Sequence, residues 1–206
     1  MTLTHGIPSQ ALDALYPLFA AATHEASVAM GRWTGGLITL SLDEVREIPL
    51  ERVCSELGIG DEPSTMVVMP MTGEAGGDMI LAFDEVDGRR LASVLLNRPV
   101  ATSPEWNELE RSALCETGNI LSCAYLNALT RALNVELIPA PPYFTYDYAA
   151  GVIEQALMQQ AATADTMLIC RTRFRREGAE LSWHVFFVPN AEMRERMRLV
   201  TSMNLN

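Results

Sequence analysis

One order of elements occurs twice along this chain, and that repetition restricts the folds open to it more than any single motif does. A helix over residues 12–34 is followed by an alternating apolar strand at 37–42 and a Pro-bounded segment with a short helix at 50–57. A buried strand at 65–69, a glycine-rich hairpin connection at 73–77, a strand at 79–83 and a helix at 87–96 complete the first pass. Arg98-Pro99 breaks the pattern, and Ser103-Pro104-Glu105 supplies a new helix start. The second pass runs through a long helix ending at Leu133, an extended stretch at 135–138 and a Pro-bounded segment with a helix at 150–160. Strands at 166–173 and 181–188 and a helix at 191–200 finish it.

Adding 99 to each residue number carries the helix at 12–34 onto 111–133 and Gly35 onto Asn134. The offset then drifts, setting Thr65-Met-Val-Val against Thr166-Met-Leu-Ile and Phe83 against Phe187. Identity between the halves is low, so the repeat rests on order and spacing. It predicts one domain over residues 1–206, with a first repeat at about 10–99 and a second at about 104–206. The halves are expected to pack about a pseudo-two-fold axis, their strands in one sheet or in two continuous sheets.

Composition removes several function classes. About half of the 206 residues are apolar, enough for a sizeable core. The formal charge of −11 repels nucleic acid and anionic membranes and favours protein partners. No apolar run reaches the roughly 20 residues that a membrane-crossing helix needs, and the first ten residues lack a basic start and an apolar stretch, so the expected location is cytoplasmic. Cys54, Cys115, Cys123 and Cys170 form no CxxC pair and read as reduced, mostly buried thiols; His5, His24 and His184 are scattered, so no metal site is expected. The arginines of Arg171-Thr-Arg-Phe-Arg-Arg176 alternate along a strand and turn, as on a solvated sheet face.

The informative stretch is residues 108–129. At about 100° per residue, Ala113, Leu114, Ile120, Leu121, Ala124 and Ala128 form one apolar face, while Ser112, Glu116 and Asn119 share the opposite one. On most helices a carboxylate and an amide one turn apart are simply a solvated surface. Two details weigh against that reading. Gly118 stands mid-helix at a cost of roughly 1 kcal/mol relative to Ala, which calls for close packing or close approach, and no Lys or Arg follows on that face to pair with Glu116.

The run Ser112-x-x-x-Glu116-x-x-Asn119, followed by 22 residues and Pro142, resembles the [DS]-x-x-x-E-x-x-N-x22-P signature of the CheC family of response-regulator phosphatases, which includes CheC, CheX and FliY. Glu-Thr-Gly-Asn-Ile-Leu-Ser at 116–122 and Asp-Glu-Val-Arg-Glu-Ile-Pro at 43–49 also resemble CheC sequences, and the length is that of CheC rather than of the shorter CheX. The resemblance implies an α/β (α+β), CheC-like fold of two pseudo-symmetric halves, with long helices packed on antiparallel sheet. CheC proteins often carry the signature twice. Here the first copy would fall on Asp13, Pro17, Ala20 and Asp43, where only the opening acid survives. That site is expected to be inactive, leaving the first helix to packing or regulation.

The implied activity is hydrolysis of the aspartyl phosphate of a CheY-like receiver in chemotaxis or an allied two-component pathway. Asn119 would orient the attacking water, as a glutamine does in GTPases, and Glu116 would contact a lysine beside the phosphorylation site. Ser112 would cap the site or stay solvated, and Pro142 would shape the neighbouring loop. No cofactor is expected on this chain, because the Mg2+ that neutralises phosphoryl oxygens would sit in the receiver's acidic pocket. The resemblance also extends to a CheD-like partner. The alternative is a non-catalytic or weakly catalytic module that binds a phosphorylated receiver or a CheD-like protein without meaningful turnover.

Overall fold

In a computed structural model, the described residues are 9–56, 63–73, 75–148, 151–152, 166–176, 179–181 and 183–204. Helix α1 (Ser9–Trp33) buries Leu15, Phe19, Ala22, Ala26 and Met30, a spacing of three and four residues that keeps one stripe on the core. The strand after it, β1 (Ile38–Pro49), reaches well beyond the alternating stretch expected at 37–42. Its second part is polar, so apolar periodicity gives no sign of it. Charge pairs with the partner strand hold it instead: Arg173 meets Asp43 at 2.9 Å and Arg171 meets Glu44 at 3.5 Å.

A 3-10 turn (Leu50–Arg52) and the short helix α2 (Val53–Glu56) lead to the hairpin of β2 (Pro63–Gly73) and β3 (Gly77–Phe83) and then to α3 (Glu85–Leu95). The long helix α4 (Glu108–Leu133) starts later than Ser103-Pro104 suggested. Asn107 caps it, accepting from the Glu110 amide while the Glu110 carboxylate accepts from the Asn107 amide, both at 3.0 Å. The preceding segment is held off the helix by Arg89, which donates to the carbonyls of Pro104 and Glu105, lies 3.9 Å over the Trp106 ring and pairs with the buried Glu110 at 2.9 Å.

The second half continues with β4 (Leu137–Pro139), β5 (Tyr143–Tyr148), β6 (Thr166–Arg176), β7 (Ala179–Leu181), β8 (Trp183–Pro189) and the final helix α5 (Ala191–Asn204). Strand β5 is absent from the sequence expectation. Its run Tyr-Phe-Thr-Tyr-Asp-Tyr has high β propensity but follows two prolines. The helix expected at 150–160 lies outside the described residues except for 151–152.

Among the described residues the strand pairings are antiparallel. Strands β4, β2, β3 and β8 form a sheet in that order, with β5 also on β2, and β1, β6 and β7 form a second. Strand β6 runs beside β8, so the two sheets adjoin there. The central strands are covered on both faces: Val67, Met69, Met79, Leu81 and Phe187 belong to the cluster under the long helices, and Met66, Val68, Ile80, Phe186 and Val188 to a second cluster behind.

A register slip recurs at corresponding positions of the two passes. In β1 paired with β6, Leu42 faces Thr172 but Glu44 faces Arg171, so Asp43 is an extra residue. In the second half Met71 faces Pro139 and Val68 faces Tyr143, so residues 140–142 span only Met69 and Pro70. Adding 99 to 43 gives 142, and the slip therefore falls at the same place in both halves. Gly35 and Asn134, also 99 apart, are both left-handed, with φ of 64° and 51°. The long helices cross this symmetry antiparallel: the Trp33 indole donates to the Thr117 hydroxyl at 3.3 Å, and the Thr23 and Tyr125 hydroxyls bond at 2.7 Å.

Candidate functional site

The buried face of α4 is centred on Leu114, Thr117, Gly118, Leu121, Tyr125 and Ala128, turned from the expected stripe, whose Ala113, Ile120 and Ala124 are only half-buried. Gly118 explains this seating. A Cβ there would lie 2.6 Å from Val67 Cγ1 and 3.2 Å from Met69 Sδ, so the helix rests directly on β2. Close packing against the protein's own sheet, rather than a visiting backbone, accounts for that glycine.

Ser112, Glu116 and Asn119 come together on the outer face. With Cys115 they line one side of a cleft of about 440 Å³, and residues 139–142 line the other. Ser112 and Glu116 are exposed; Asn119 and Pro142 are half-buried. The opposing wall is the bulge between β4 and β5. Neither Pro141 nor Pro142 has an amide hydrogen to give to a ladder, and Pro70 on the facing strand lacks one too; the Ala140 amide nevertheless donates to the Pro70 carbonyl at 2.9 Å and pins the loop. Three prolines thus keep pairing from closing over the cleft. The sequence pointed to Pro142 but not to Cys115, Pro139, Ala140 or Pro141. Their contribution comes from the bulge, which only the register reveals.

The side chains are left ready for an outside partner. Among the described residues Glu116 has no ion pair, and the Asn119 carboxamide has only a 3.8 Å contact, accepted from the Cys123 thiol. Burial pushes the Cys115 thiol above its ordinary value, with a hydrogen bond from the Phe144 backbone opposing. A thiol held protonated is a poor nucleophile, which leaves the Asn119 amide, the Glu116 carboxylate and the Ser112 hydroxyl as the cleft's polar side chains.

The positions of the first copy are not brought together in this way. Asp13 and Pro17 are exposed on α1, Ala20 is half-buried, and the Asp43 carboxylate is taken by Arg173. Elsewhere Cys170 is buried and free, its thiol pushed up to about 12 by burial, and the side chain of Cys54 lies outside the described residues. Arg171 and Arg173 alternate with buried Thr172 and Phe174 and are paired with acids. Among the described residues no group of three or more His, Cys, Asp or Glu could hold a metal ion, and no helix is long and apolar enough to cross a membrane.

No family model matches the chain. Over 209 aligned residues, covering 100% of both sequences, it is 22% identical to the CheY-P phosphatase CheC of Bacillus subtilis (strain 168). Among solved structures, Thermotoga maritima FliY superposes with a TM-score of 0.71 at 16% identity, covering 96% of this chain and 98% of that one. A chain of the CheX-CheY-BeF3-Mg+2 complex from Borrelia burgdorferi superposes with a TM-score of 0.54 at 15% identity, covering 87% and 99%. At these identities the structural likenesses carry the fold.

Proposed function

We propose, from the chain's membership of the CheC family, that it hydrolyses the aspartyl phosphate of a CheY-like response regulator in the cytoplasm, with Asn119 holding the attacking water. The observation that carries this reading is the open cleft in which, among the described residues, a carboxylate without an ion pair and a carboxamide held only by a thiol contact stand one helical turn apart. The full-length similarity to a CheY-P phosphatase and the fold shared with a CheX solved together with CheY support it.

An aspartyl phosphate is an acyl phosphate whose leaving group is a stable carboxylate. The water oxygen bonds to phosphorus as the bond from phosphorus to the aspartate oxygen breaks, giving inorganic phosphate and a free carboxylate, and little base strength is required. What the chain supplies is position. The Asn119 amide can accept from and donate to the water, and it does so without changing protonation. Glu116 meets a receiver lysine and fixes the angle at which the amide enters. Pro142 and the bulge keep the far wall clear, and Ser112 lies at the cleft's edge. Magnesium held in the receiver's acidic pocket would neutralise the phosphoryl oxygens, so this reading asks no cofactor of the chain itself.

Phosphate loss from a phosphorylated receiver is the direct test. Wild-type protein should accelerate it and Asn119→Ala should not; equal rates would remove the role given to the amide. Glu116→Lys should weaken docking and be rescued by a receiver with the facing lysine reversed to an acid. Because this chain contains no lysine, carbodiimide coupling of Glu116 to a receiver lysine is not hidden by internal lysine links. Capture of the receiver with its phosphate lifetime unchanged would favour the non-catalytic binding module.

A further inference from the structure

A second groove lies between the start of α4, with the segment before it, and β5, lined by Pro104, Glu105, Trp106, Arg111, Phe144 and Tyr146. Arg111 is its exposed cation, and its guanidinium lies 5.5 Å over the Phe144 ring. Among the described residues it has no carboxylate within ion-pair distance, whereas Arg89, Arg131, Arg171, Arg173 and Arg194 are each paired with an acid. An arginine with no acid partner among the described residues of a chain of net charge −11, five residues from Glu116, which also has none there, has complementary charge to offer a partner.

The platform under Arg111 is rigid. Phe144 packs against Trp106 at 5.2 Å between ring centres, and Trp106 lies under Arg89, which is locked to the buried Glu110. A guanidinium stacked on a fixed ring loses little freedom when it binds, so an ion pair made there keeps more of its energy than one made by a loose side chain. Along the helix axis Arg111 and Glu116 are about 7.5 Å apart. Together they put a plus and a minus charge on one helix, about 140° apart around its axis.

Resting on the receiver as partner, we propose that Arg111 is a second docking residue, taking a carboxylate on the receiver surface while Glu116 takes a lysine, so that the two charges set which way round the receiver sits. A single charge contact fixes a point; two of opposite sign fix an orientation and reject receivers with the charges exchanged.

The test compares wild type with Arg111→Ala, Arg111→Lys and Arg111→Glu. In the phosphate-release assay Arg111→Ala should raise KM roughly fivefold with kcat within twofold, Arg111→Glu should raise it further, and Arg111→Lys should recover part of the loss. The rise of KM with added salt should be shallower for Arg111→Ala than for wild type, a change that a purely structural role would not produce. Titration with beryllofluoride-loaded receiver reads the same docking without turnover, so it still decides the matter if wild type proves inactive and the phosphatase reading falls. Unchanged receiver affinity and salt dependence in Arg111→Ala, with an unaltered melting temperature, would overturn the proposal.

Discussion

On α4, Glu116 and Asn119 line a polar cleft whose far wall is the proline bulge at 140–142. At the positions related by 99 residues α1 carries Pro17 and Ala20, and the bulge of β1 carries Asp43 in a pair with Arg173. Pro17 contributes instead to an apolar groove with Leu18, Ala21, Ala132 and Val200. The bulge and the left-handed helix end occur in both passes, while the side chains of the motif are present in one. The retained features are those the chain needs in order to fold, since a slipped register would turn every side chain of a strand to the wrong face. Exposed polar side chains in a cleft contribute little to stability and can be lost without harm to the scaffold.

The helices also stand differently on the sheet. The residue that matches Gly118 is Phe19, fully buried and set edge-on against Phe187 at 5.5 Å between ring centres. A glycine lets α4 rest on Val67 and Met69 of β2, whereas α1 presents a ring to Phe187 of β8.

The comparison breaks most sharply by transplanting one face onto the other. Asn119→Ala should lower assisted phosphate loss roughly hundredfold, the scale expected when a reacting group loses its alignment. Adding Pro17→Glu with Ala20→Asn to that variant should restore none of it, because the Asp43–Arg173 pair stands where the open bulge would have to be. Recovery of a tenth of wild-type activity would show that side-chain loss alone separates the halves.

The packing difference should register in urea denaturation. Phe19→Ala leaves a cavity and should cost about 3–5 kcal/mol, whereas Gly118→Ala forces a methyl group against Val67 and should cost about 1–3 kcal/mol despite the better helix propensity of Ala. A stabilising Gly118→Ala would mean that α4 does not lie at the observed distance.

The smallest effect concerns the seam between the halves, where the Tyr125 hydroxyl bonds Thr23 at 2.7 Å and Thr172 at 3.0 Å. Burial first, and then the neighbouring Cys170, push this phenol above its ordinary 10.0. The folded protein keeps the proton after the unfolded chain has lost it, so stability should decline as pH rises past 10.0, with Cys170 adding a decline of the same sign from 9.0. Tyr125→Phe should flatten part of that alkaline limb in melting temperatures measured against pH; an unchanged slope would remove Tyr125 as its source.

The long helices, the apolar central strands, the repeat in its order and the motif Ser112, Glu116, Asn119 and Pro142 were all legible in the residues, because periodicity and short spacings are written along the chain itself. The polar second half of β1 and the strand β5 were not, since one depends on cross-strand charge pairs and the other follows prolines that mask it. The bulge shared by Asp43 and Pro142, the seat of Gly118 on Val67 and Met69, and the stacking of Arg111 on Phe144 emerged only from the tertiary structure. Each relates residues from different elements, whose register and distance are set by how the elements pair and pack and so have no signature within a single stretch of sequence.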